Sequence, residues 1–539
     1  MAQLKLGVKE LVYFACRSGD LNADTVVGPT AREGQLTHKK LQSLKTDSQQ
    51  AETSLKVTLE VDEDTVVLGG RVDLLDTRDR IAEIIEIKST YVSPRHLPAA
   101  VLDLHWAQLK VYGYLLSLSD LPEITNPSEL PELEQATVSP HKTSIEQVRL
   151  QLACHNLLDD VTYRDSRQFE VADLAEFTIE AIRCYLKWYR AVEESRRLMR
   201  ESAIAMEFPF KDFRSGQYKM AAAVYLTIKN NGRLLCEAPT GTGKTISTLF
   251  PACKALAEGH MSQIVYMTAK TSGRQAAFAA IGQLRSAGLQ ATSLVIHSKV
   301  LACHCQNGTC ERDDDGRCPR TIGFFDRLPA ARERLLALAN LDNDKIDQVA
   351  VEFELCPFEL ALQMLPWVDI VVCDYNYLFD PLVRLTSFAE REKDIALLVD
   401  EVHNLSDRAR NMYSATLSRQ QNFEVVSQCK STFAEVARAA KGLNRAMATL
   451  KGQHQGSEAV VLEAPVAVTR AVLKCLESLE QQGQANRVNR VTVEANQTPD
   501  FFAEYGENRP VEDASGQSSG SWPQIVREWV QGAFPLQSY

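Results

Sequence analysis

The sequence Ala238-Pro239-Thr240-Gly241-Thr242-Gly243-Lys244-Thr245 is the strongest indication of fold in this 539-residue chain. It follows the apolar run Arg233–Glu237 and precedes a helix-compatible sequence, which is the context of a phosphate-binding loop between a strand and a helix. In such a loop the glycines let backbone N–H groups surround phosphate, Lys244 reaches the β- and γ-phosphates, and Thr245 binds Mg²⁺. The sequence therefore predicts a nucleotide site in an α/β domain, with Ala238 in place of the usual first glycine.

A second acidic motif, Asp400-Glu401-Val402-His403, follows the apolar run Ile395–Val399. An acidic pair at a strand end suits nucleotide hydrolysis, with Asp400 holding the metal and Glu401 orienting the attacking water. Alone, such a pair is more often a solvated turn. Together with Lys244 it predicts a nucleotide-hydrolysing site.

Length and composition limit the alternatives. A chain of 539 residues is too long for one hydrophobic core, so about two to four domains are expected. The hydrophobic content of 45% is typical of globular proteins, and no run approaches the roughly 18 apolar residues that span a bilayer, so no membrane association is expected. Met1–Lys9 has no secretory-signal pattern, so a cytoplasmic location is expected. The net charge of −11 means that nucleic-acid binding would need local basic surfaces.

Short apolar runs alternate with helix-compatible segments in two parts of the chain. The first part has the predicted strands Val57–Val61, Thr65–Leu75 and Ile81–Ile87, a helix over about Ala99 to Leu116, and helix over Ser144–Ala205. The second has the predicted strands Arg233–Glu237, Gln263–Thr268, Ile370–Cys373 and Ala396–Val399, as in a parallel sheet. Residues 121–140 and the polar end of the chain are predicted loops, and the region after Asn404 is predicted helix to about Gln482.

The cysteines are concentrated between the two nucleotide motifs. Five of the thirteen lie there: Cys303, Cys305, Cys310, Cys318 and Cys356. Thiols in a reducing compartment form metal or redox sites more often than disulfides. Four thiolates suit a [4Fe–4S] cluster, but the number of ligands does not separate it from tetrahedral zinc. Cys236, Cys253 and Cys373 lie in apolar runs, where buried structural thiols are expected.

The N-terminal part carries a second candidate site. Asp73 lies within the strand-like Gly69–Leu75, and Glu86-Ile87-Lys88 follows on the next strand. Strand alternation places Glu86 and Lys88 on one face. Asp73 and Glu86 would hold Mg²⁺ or Mn²⁺, while Lys88 would position water or stabilise charge at a phosphate. By itself such a strand is more often an exposed face.

Three further residues favour a site there. Gln108 and Tyr112 are four residues apart on a predicted helix and therefore share a face. His38, four residues after Gly34, could add a metal ligand, although a lone helical histidine is usually packed or solvated. The order His38, Asp73, Glu86, Lys88, Gln108, Tyr112 resembles the RecB-like PD-(D/E)xK nucleases over residues 1–205. The resemblance implies a metal-dependent DNA nuclease.

The rest of the chain resembles the XPD/DinG-like (Rad3-related) branch of superfamily 2 helicases. The order Gln217, the loop ending at Thr245, Thr268–Thr271 and the acidic motif at Asp400 matches that family's motifs. The resemblance implies ATP-driven movement on single-stranded DNA, expected 5′ to 3′. It implies nucleotide contacts from Gln217, Gly241, Thr242, Gly243, Lys244 and Thr245, and DNA contacts from Thr268–Thr271 and the segment Asp374-Tyr375-Asn376-Tyr377.

The same resemblance implies a [4Fe–4S] cluster on Cys303, Cys310, Cys318 and Cys356. Cys305 is the alternative to Cys303, and zinc remains the competing metal. After Asn404 the sequence lacks a second motor domain and its arginine-finger motif, so we expect a chain truncated before that domain. A protein partner or a separate C-terminal motor half would then be needed for unwinding.

These patterns predict an α/β chain with a PD-(D/E)xK domain followed by a RecA-like motor domain. The predicted boundaries are 1–205 for the nuclease-like domain, 206–300 and 366–405 for the motor domain, 301–365 for the iron–sulfur insertion, and 406–539 for a partial helical arch with a polar tail. The predicted function is an ATP-dependent helicase and nuclease acting on single-stranded or branched DNA in repair or recombination. Two alternatives stay open: a stand-alone nuclease with a non-unwinding motor, and a binding protein in which ATP and the cluster are structural.

Overall fold

A computed structural model describes most of the chain. The described residues are 4–21, 29, 31–46, 48–76, 82–91, 94, 97–119, 146–157, 160–239, 241–303, 318–381, 383–385, 387–388, 391, 394–414, 416–453, 465–492, 511–512 and 518–519. They form two compact units, the first of residues 1–264 and 279–371, the second of residues 265–278 and 372–539. The boundaries given above from the sequence stay predictions.

The N-terminal part is a six-stranded mixed sheet with helices on both faces. Its elements are β1 (Leu4–Gly7), α1 (Val8–Ala15), α2 (Ala31–Ser43), β2 (Gln49–Val61), β3 (Asp64–Asp76), β4 (Glu83–Thr90), α3 (Ala99–Leu118), β5 (Gln147–Asn156), β6 (Val161–Glu170) and α4 (Val171–Ala205). The strand order is β1-β3-β4-β5-β6, with β2 on the other edge of β3. One core packs α1, α3 and α4 against the sheet, and a smaller one packs Leu41 of α2 against its other face.

The helix predicted over Ser144–Ala205 is wrong in its first half, where the structure has β5 and β6. Val148, Leu150, Leu152 and Cys154 of β5 are buried, which is a period of two residues and not of 3.6. The strand therefore places its alternate residues in the core beside β4, with which it pairs in parallel. The helical pattern begins only at α4.

The second sheet has five strands in the order β11-β7-β10-β8-β9. The elements of this part are α5 (Gln217–Lys229), α6 (Lys244–Ala257), β7 (Gln263–Thr268), α7 (Thr271–Ser286), β8 (Ser293–Val295), α8 (Lys299–Ala302), α9 (Phe324–Leu336), β9 (Asn340–Leu341), α10 (Asn343–Glu352), α11 (Pro357–Met364), β10 (Ile370–Asp374), α12 (Asn376–Phe379) and β11 (Ile395–Val399). β8 and β9 run parallel. Three of the four strands predicted here are present.

The fourth, Arg233–Glu237, is not a strand in the structure. Leu235 is 87% exposed, and the segment pairs with no strand among the described residues. An isolated apolar run cannot satisfy its backbone N–H and C=O groups as a strand, so its composition alone does not make it one.

In the part of the chain that the structure describes, four helices follow β11: α13 (His403–Met412), α14 (Arg419–Cys429), α15 (Ala434–Gln453) and α16 (Val466–Thr492). The last three pack around an apolar core that includes Val425, Phe433, Leu443 and Val472. This matches the helical pattern predicted after Asn404. A short hairpin, β12 (Val511–Glu512) with β13 (Ser518–Ser519), lies in the tail. No described helix has the length and apolarity needed to cross a membrane.

Within the first unit, the loop after α1 is bonded to the segment between Cys318 and α9. The hydrogen bonds run from Leu21 N to Thr321 O (2.9 Å), from Phe325 N to Gly19 O (3.0 Å), from Gly19 N to Asp326 Oδ1 (2.9 Å) and from Gly323 N to Asp20 Oδ1 (2.8 Å). The Arg17 guanidinium stacks on the Phe325 ring at 3.8 Å. The nuclease-like part is therefore held against the segment that follows Cys318.

An aromatic cluster reinforces this attachment. The Trp367 ring lies 5.8 Å from that of Phe14 and 5.7 Å from that of Trp188, both edge to face. The buried Arg332 guanidinium lies over the Phe14 ring at 4.7 Å and donates to Gln363. Edge-to-face ring pairs and a desolvated cation over a ring each contribute on the order of 1 kcal/mol beyond the buried area.

Candidate active sites

The first candidate site lies along one edge of β3, at the point where its neighbouring strand changes from β1 to β4. β1 pairs with β3 only as far as Gly7 opposite Gly69, and β4 pairs with it from Leu74 opposite Ile85. Because β2 covers the other edge of β3, residues 70–73 lie in the gap between β1 and β4. Asp73 is the last residue of that gap, and its side chain reaches the backbone of β4 at Ile87.

Glu86, Lys88 and Gln108 form one hydrogen-bonded group. Lys88 Nζ donates to Glu86 Oε1 at 2.6 Å and to Gln108 Oε1 at 3.3 Å, and Gln108 Nε2 donates to Glu86 Oε1 at 2.8 Å. Ile85 and Ile87 pack on the opposite face of β4. The structure thus has the strand alternation predicted for this segment, and α3 contributes the amide.

Asp73 lies next to His38 and to the backbone of β4. Its Oδ1 is 3.3 Å from His38 Nδ1, and its Oδ2 accepts a hydrogen bond from Ile87 N at 2.7 Å. The hydrogen bond to Asp73 raises the pKa of His38 against the opposing effect of burial. His38, on α2, is therefore placed beside a carboxylate and not among packed apolar side chains.

Burial dominates the electrostatics of the Glu86 carboxyl. Desolvation and the nearby Asp73 charge raise the pKa of Glu86, although Lys88 acts in the other direction. For Lys88, burial lowers the pKa of the ammonium, but Glu86 and Asp73 outweigh it and the pKa is raised. Glu86 Oε2 is buried and has no hydrogen-bond partner among the residues that the structure describes. An unpartnered buried carboxylate oxygen is costly unless a cation or a substrate donor completes its coordination.

Tyr112 closes the site from α3. A Cβ atom added at Gly70 would lie 2.8 Å from Tyr112 Oη, so the glycine makes room for the ring. Burial, followed by the Glu86 charge, raises the pKa of Tyr112 to about 12, and Gln108 bonds its hydroxyl. The phenol therefore stays protonated and can donate a hydrogen bond.

His105 belongs to the same helix face and was missed from the sequence. It precedes Gln108 by three residues and Tyr112 by seven, the helical spacing that brings side chains onto one stripe. Burial, with the charge of Lys88, lowers the pKa of His105 to about 3, so its imidazole is neutral. That spacing was the signal that could have found it.

The carboxylates of this site fit a divalent cation that takes only one or two ligands from the protein. No group of three or more His, Cys, Asp or Glu side chains in the described part of the chain is arranged to hold a metal ion. Mg²⁺ is usually held by one or two carboxylates, with water and substrate phosphate as its other ligands. Asp73 and the unpartnered oxygen of Glu86 provide such a pair.

The second candidate site is the phosphate-binding loop of the first unit. Gly241 and Gly243 have φ angles of +81° and +76°, and Gly243 caps α6, which begins at Lys244. The N-terminus of a helix is an anion-binding arrangement, because its first backbone N–H groups have no partner within the helix itself. Lys244, Thr245 and Thr242 lie on this turn as predicted, whereas Thr240 lies outside the described residues.

Gln217 packs directly on this loop. A Cβ at Gly243 would lie 2.4 Å from Gln217 Nε2, so only glycine leaves space for the amide. Arg214 fixes the arrangement, because its backbone N donates to Gln217 Oε1 at 2.7 Å and its guanidinium donates to Gly241 O. The stacked rings of Phe208 and Phe213 lie beside it, with centroids 3.9 Å apart.

The acidic motif lies in the second unit, directly after β11. Asp400 N donates to Met267 O at 2.9 Å, which fixes the turn to the end of β7. Glu401 has a φ of +51°, an unusual conformation for a residue with a side chain. Its Oε2 lies 3.3 Å from His403 Nδ1. Residues with such backbone strain are concentrated at functional sites.

Three of the four predicted cluster cysteines are described. Cys303 follows α8, Cys318 precedes a 3-10 turn over Pro319–Thr321, and Cys356 caps α11. Cys310 and the alternative Cys305 lie outside the described residues. Burial raises the pKa of the Cys356 thiol, but the backbone N–H groups of Phe358 and Glu359 point at its sulfur, which suits a thiolate ligand. The cluster stays a prediction.

Two parts of the chain match models of known protein families. Residues 27–218 match the family model of the PD-(D/E)XK nuclease superfamily, and residues 270–422 match the DEAD_2 model. The fold is thus an α/β nuclease-like domain followed by a helicase-like motor domain.

Similar curated proteins include the general transcription and DNA repair factor IIH helicase subunit XPD of Arabidopsis thaliana, 23% identical over 40% of this chain and 32% of that protein. The regulator of telomere elongation helicase 1 homolog of Aedes aegypti is 33% identical over 16% of this chain and 9% of its own length. The chain thus matches about a third or less of the length of these relatives. A solved structure titled truncated XPD covers 50% of this chain and 77% of its own, at 16% identity and a TM-score of 0.30. That superposition is loose, so the fold assignment rests on the two family models and the strand order.

Proposed function

We propose that the chain is an ATP-dependent DNA helicase of the XPD type fused to a metal-dependent DNA nuclease, acting on single-stranded or branched DNA in repair or recombination. One observation carries the nuclease half: Glu86, Lys88 and Gln108 are bonded to one another beside Asp73, and the buried Glu86 Oε2 has no partner in the described part of the chain. The matches to the nuclease and DEAD_2 models support joining the two activities.

In the nuclease, Asp73 and Glu86 would hold Mg²⁺ or Mn²⁺. The bound ion would lower the pKa of the attacking water and polarise the phosphate. Lys88, kept charged by two carboxylates, would stabilise the charge that develops on the phosphate oxygens. Gln108 orients both Glu86 and Lys88, and Tyr112 is a hydrogen-bond donor at the same face. His38 would join the metal ligands only as neutral imidazole, so protonation of its ring would compete with metal binding.

In the motor, Lys244 would bind the β- and γ-phosphates, and Thr245 with Asp400 would hold Mg²⁺. Glu401 would orient the attacking water. Gln217 would contact the adenine, since its amide is fixed beside the loop by Arg214. The nucleotide contacts proposed for Gly241, Thr242 and Gly243 come from their backbone N–H groups.

The DNA would be contacted by Thr268–Thr271 and Asp374–Tyr377. We propose that Cys303, Cys310, Cys318 and Cys356 hold a [4Fe–4S] cluster. The motor would move 5′ to 3′ along DNA. The protein would act in the cytoplasm, without membrane association. Unwinding would require a protein partner or a C-terminal motor half. Iron and sulfide analysis of anaerobically purified protein tests the cluster, and zinc alone would contradict it.

The alternative function is a metal-dependent nuclease whose motor region binds ATP and DNA without unwinding. The exposed segment at 233–237 favours it, because the run that should lead into the phosphate-binding loop has no partner strand among the described residues.

The deciding experiment measures ATP hydrolysis stimulated by single-stranded DNA and, in parallel, cleavage of labelled single-stranded and forked DNA. Lys244→Ala should abolish ATP turnover and spare cleavage without ATP. Asp73→Ala and Lys88→Ala should abolish cleavage and spare turnover. Cleavage without turnover would favour the alternative function, and unchanged cleavage in Asp73→Ala would contradict the nuclease assignment.

A further inference from the structure

The side chain of Arg408 bridges two strand-end segments in the second unit. Nη1 donates to Ala269 O, just after β7, at 2.9 Å. Nη2 donates to Asp374 Oδ1, at the end of β10, at 2.9 Å and to Asn376 Oδ1 at 3.1 Å. Arg408 lies on α13, which begins two residues after Glu401. One planar guanidinium therefore bonds three acceptors from both segments, which a lysine ammonium could not do with the same geometry.

The acidic motif is tied to the same two segments. Asp400 N donates to Met267 O at the end of β7, at 2.9 Å, and Asp400 O accepts the hydroxyl of the buried Tyr375, which lies between Asp374 and Asn376. The backbone of Asp400 and the side chain of Arg408 thus hold the same strand ends from two directions. A movement at Asp400 would be transmitted to both.

A strained residue separates these two attachments. Glu401 has a φ of +51°, which costs a residue with a side chain on the order of 1 kcal/mol or more. Relief of that strain would rotate the start of α13 relative to Asp400. The displacement would reach Arg408 within two turns of helix.

We infer that Arg408 is a positioning residue that couples nucleotide occupancy at Asp400 to the two segments Thr268–Thr271 and Asp374–Tyr377. The inference rests on the proposed function, which gives Asp400 to the nucleotide and the two segments to DNA. Coupling of this kind is a mutual change in affinity, so the nucleotide and the DNA must each alter the binding of the other by the same factor.

The test measures the dissociation constant of a fluorescent single-stranded oligonucleotide for the full chain, with and without a non-hydrolysable ATP analogue and Mg²⁺. The wild type should show a change of about fivefold or more. Arg408→Lys keeps the charge and removes the three-acceptor bridge. It should reduce that change to less than about twofold, with nucleotide affinity alone altered by less than about twofold.

Arg410→Lys is the matched control. Arg410 lies on the same helix, and its side chain is 72% exposed and paired with Asp407 alone among the described residues. It should keep the wild-type coupling. Asp374→Asn weakens the bridge from the other side and should lower the coupling without changing α13.

Coupling that survives in Arg408→Lys, or a wild type that binds both ligands without mutual effect, overturns this inference and leaves the proposed function. If the Arg408→Lys protein loses ligand binding and melts at a lower temperature, Asp374→Asn decides. An Asp374→Asn protein that folds normally and has lost the coupling supports the inference. One that keeps the coupling shows that Arg408 has only a structural role and overturns the inference. A wild type that binds no nucleotide overturns the proposed function itself.

Discussion

The backbone N–H of Gly19 donates to the carboxylate of Asp326, 307 residues further along the chain, at 2.9 Å. Asp20 makes the complementary bond to the N–H of Gly323. These two hydrogen bonds join the loop after α1 to the start of α9. The joined segment follows Cys318, one of the candidate cluster ligands. The nuclease-like part and the cysteine-bearing segment are therefore attached by specific bonds and not only by the chain between them.

Asp20→Ala and Asp326→Ala should each destabilise this attachment, because each leaves a backbone N–H without its partner. Both bonds are at least partly accessible to water, so the loss of either should cost about 0.5–1.5 kcal/mol. Hydrogen exchange should accelerate at residues 17–21 and 319–326 in both variants. Asp165→Ala removes an exposed carboxylate of β6 that pairs with Arg167, and it is the control. Unchanged exchange in the two test variants would contradict the attachment.

Gly70→Ala should reduce DNA cleavage at least tenfold, because the added Cβ would displace the hydroxyl end of Tyr112. Overpacking of this kind costs about 1–3 kcal/mol, so most of the protein should remain folded. Gly282→Ala, on α7, meets nothing within 4 Å and should leave cleavage unchanged. Cleavage at the wild-type rate in Gly70→Ala would mean that Tyr112 has no part in the site.

Gly243→Ala should abolish ATP binding, since its Cβ would lie 2.4 Å from Gln217 Nε2. Gly259→Ala provides the control for backbone strain. Gly259 has a φ of +79°, close to the +76° of Gly243, but nothing lies within 4 Å of its Cβ position. It should lose about 1 kcal/mol of stability and bind ATP normally. Nucleotide titration followed by fluorescence would separate the two, and equal losses would point to strain alone.

Lys88→Ala should make stability depend on pH in metal-free protein. The variant leaves Glu86, already raised in pKa by burial, as a buried carboxylate without its cation. The protonated carboxyl is tolerated at low pH. The cost grows once pH rises above the unfolded-state pKa of Glu86, and it reaches its full value of about 3–5 kcal/mol above the raised folded-state pKa. The melting temperature relative to wild type should therefore fall between pH 5 and pH 8 in EDTA. Glu86→Gln combined with Lys88→Met should remove that dependence, and a flat profile for Lys88→Ala would contradict the buried ion pair.

The sequence predicted the structure best where the spacing of residues matched only one kind of element, strand or helix. The strand alternation at Glu86 and Lys88 and the helical spacing of Gln108 and Tyr112 predicted side chains that the structure brings together. The helix predicted over 144–170 is wrong, because the 3.6-residue pattern of α4 begins only after β5 and β6, and β5 has a period of two residues. The strand at 233–237 failed because strand formation depends on a neighbour that composition does not reveal.

Other parts of the sites depend on contacts between distant segments. The role of Gly70 follows from the ring of Tyr112, which is 42 positions away. In the sequence, Arg408 is one of several basic residues of a polar helix. Its role is visible only in the structure, where it bonds the segments that follow β7 and end β10. No local pattern carries such information, because it arises only when the sheet is assembled.

The aromatic contact of Trp367 with Phe14 and Trp188 bears on how the chain can be divided. A fragment that ends at residue 205 would lack the Trp367 indole and the Arg332 guanidinium. Phe14 and Trp188, which these groups cover, would then be exposed to water. Such a patch favours self-association, so an excised nuclease should be poorly soluble. Anyone transplanting the activity into another protein would need to carry α9 and the Trp367 region along, or to redesign that face with polar residues.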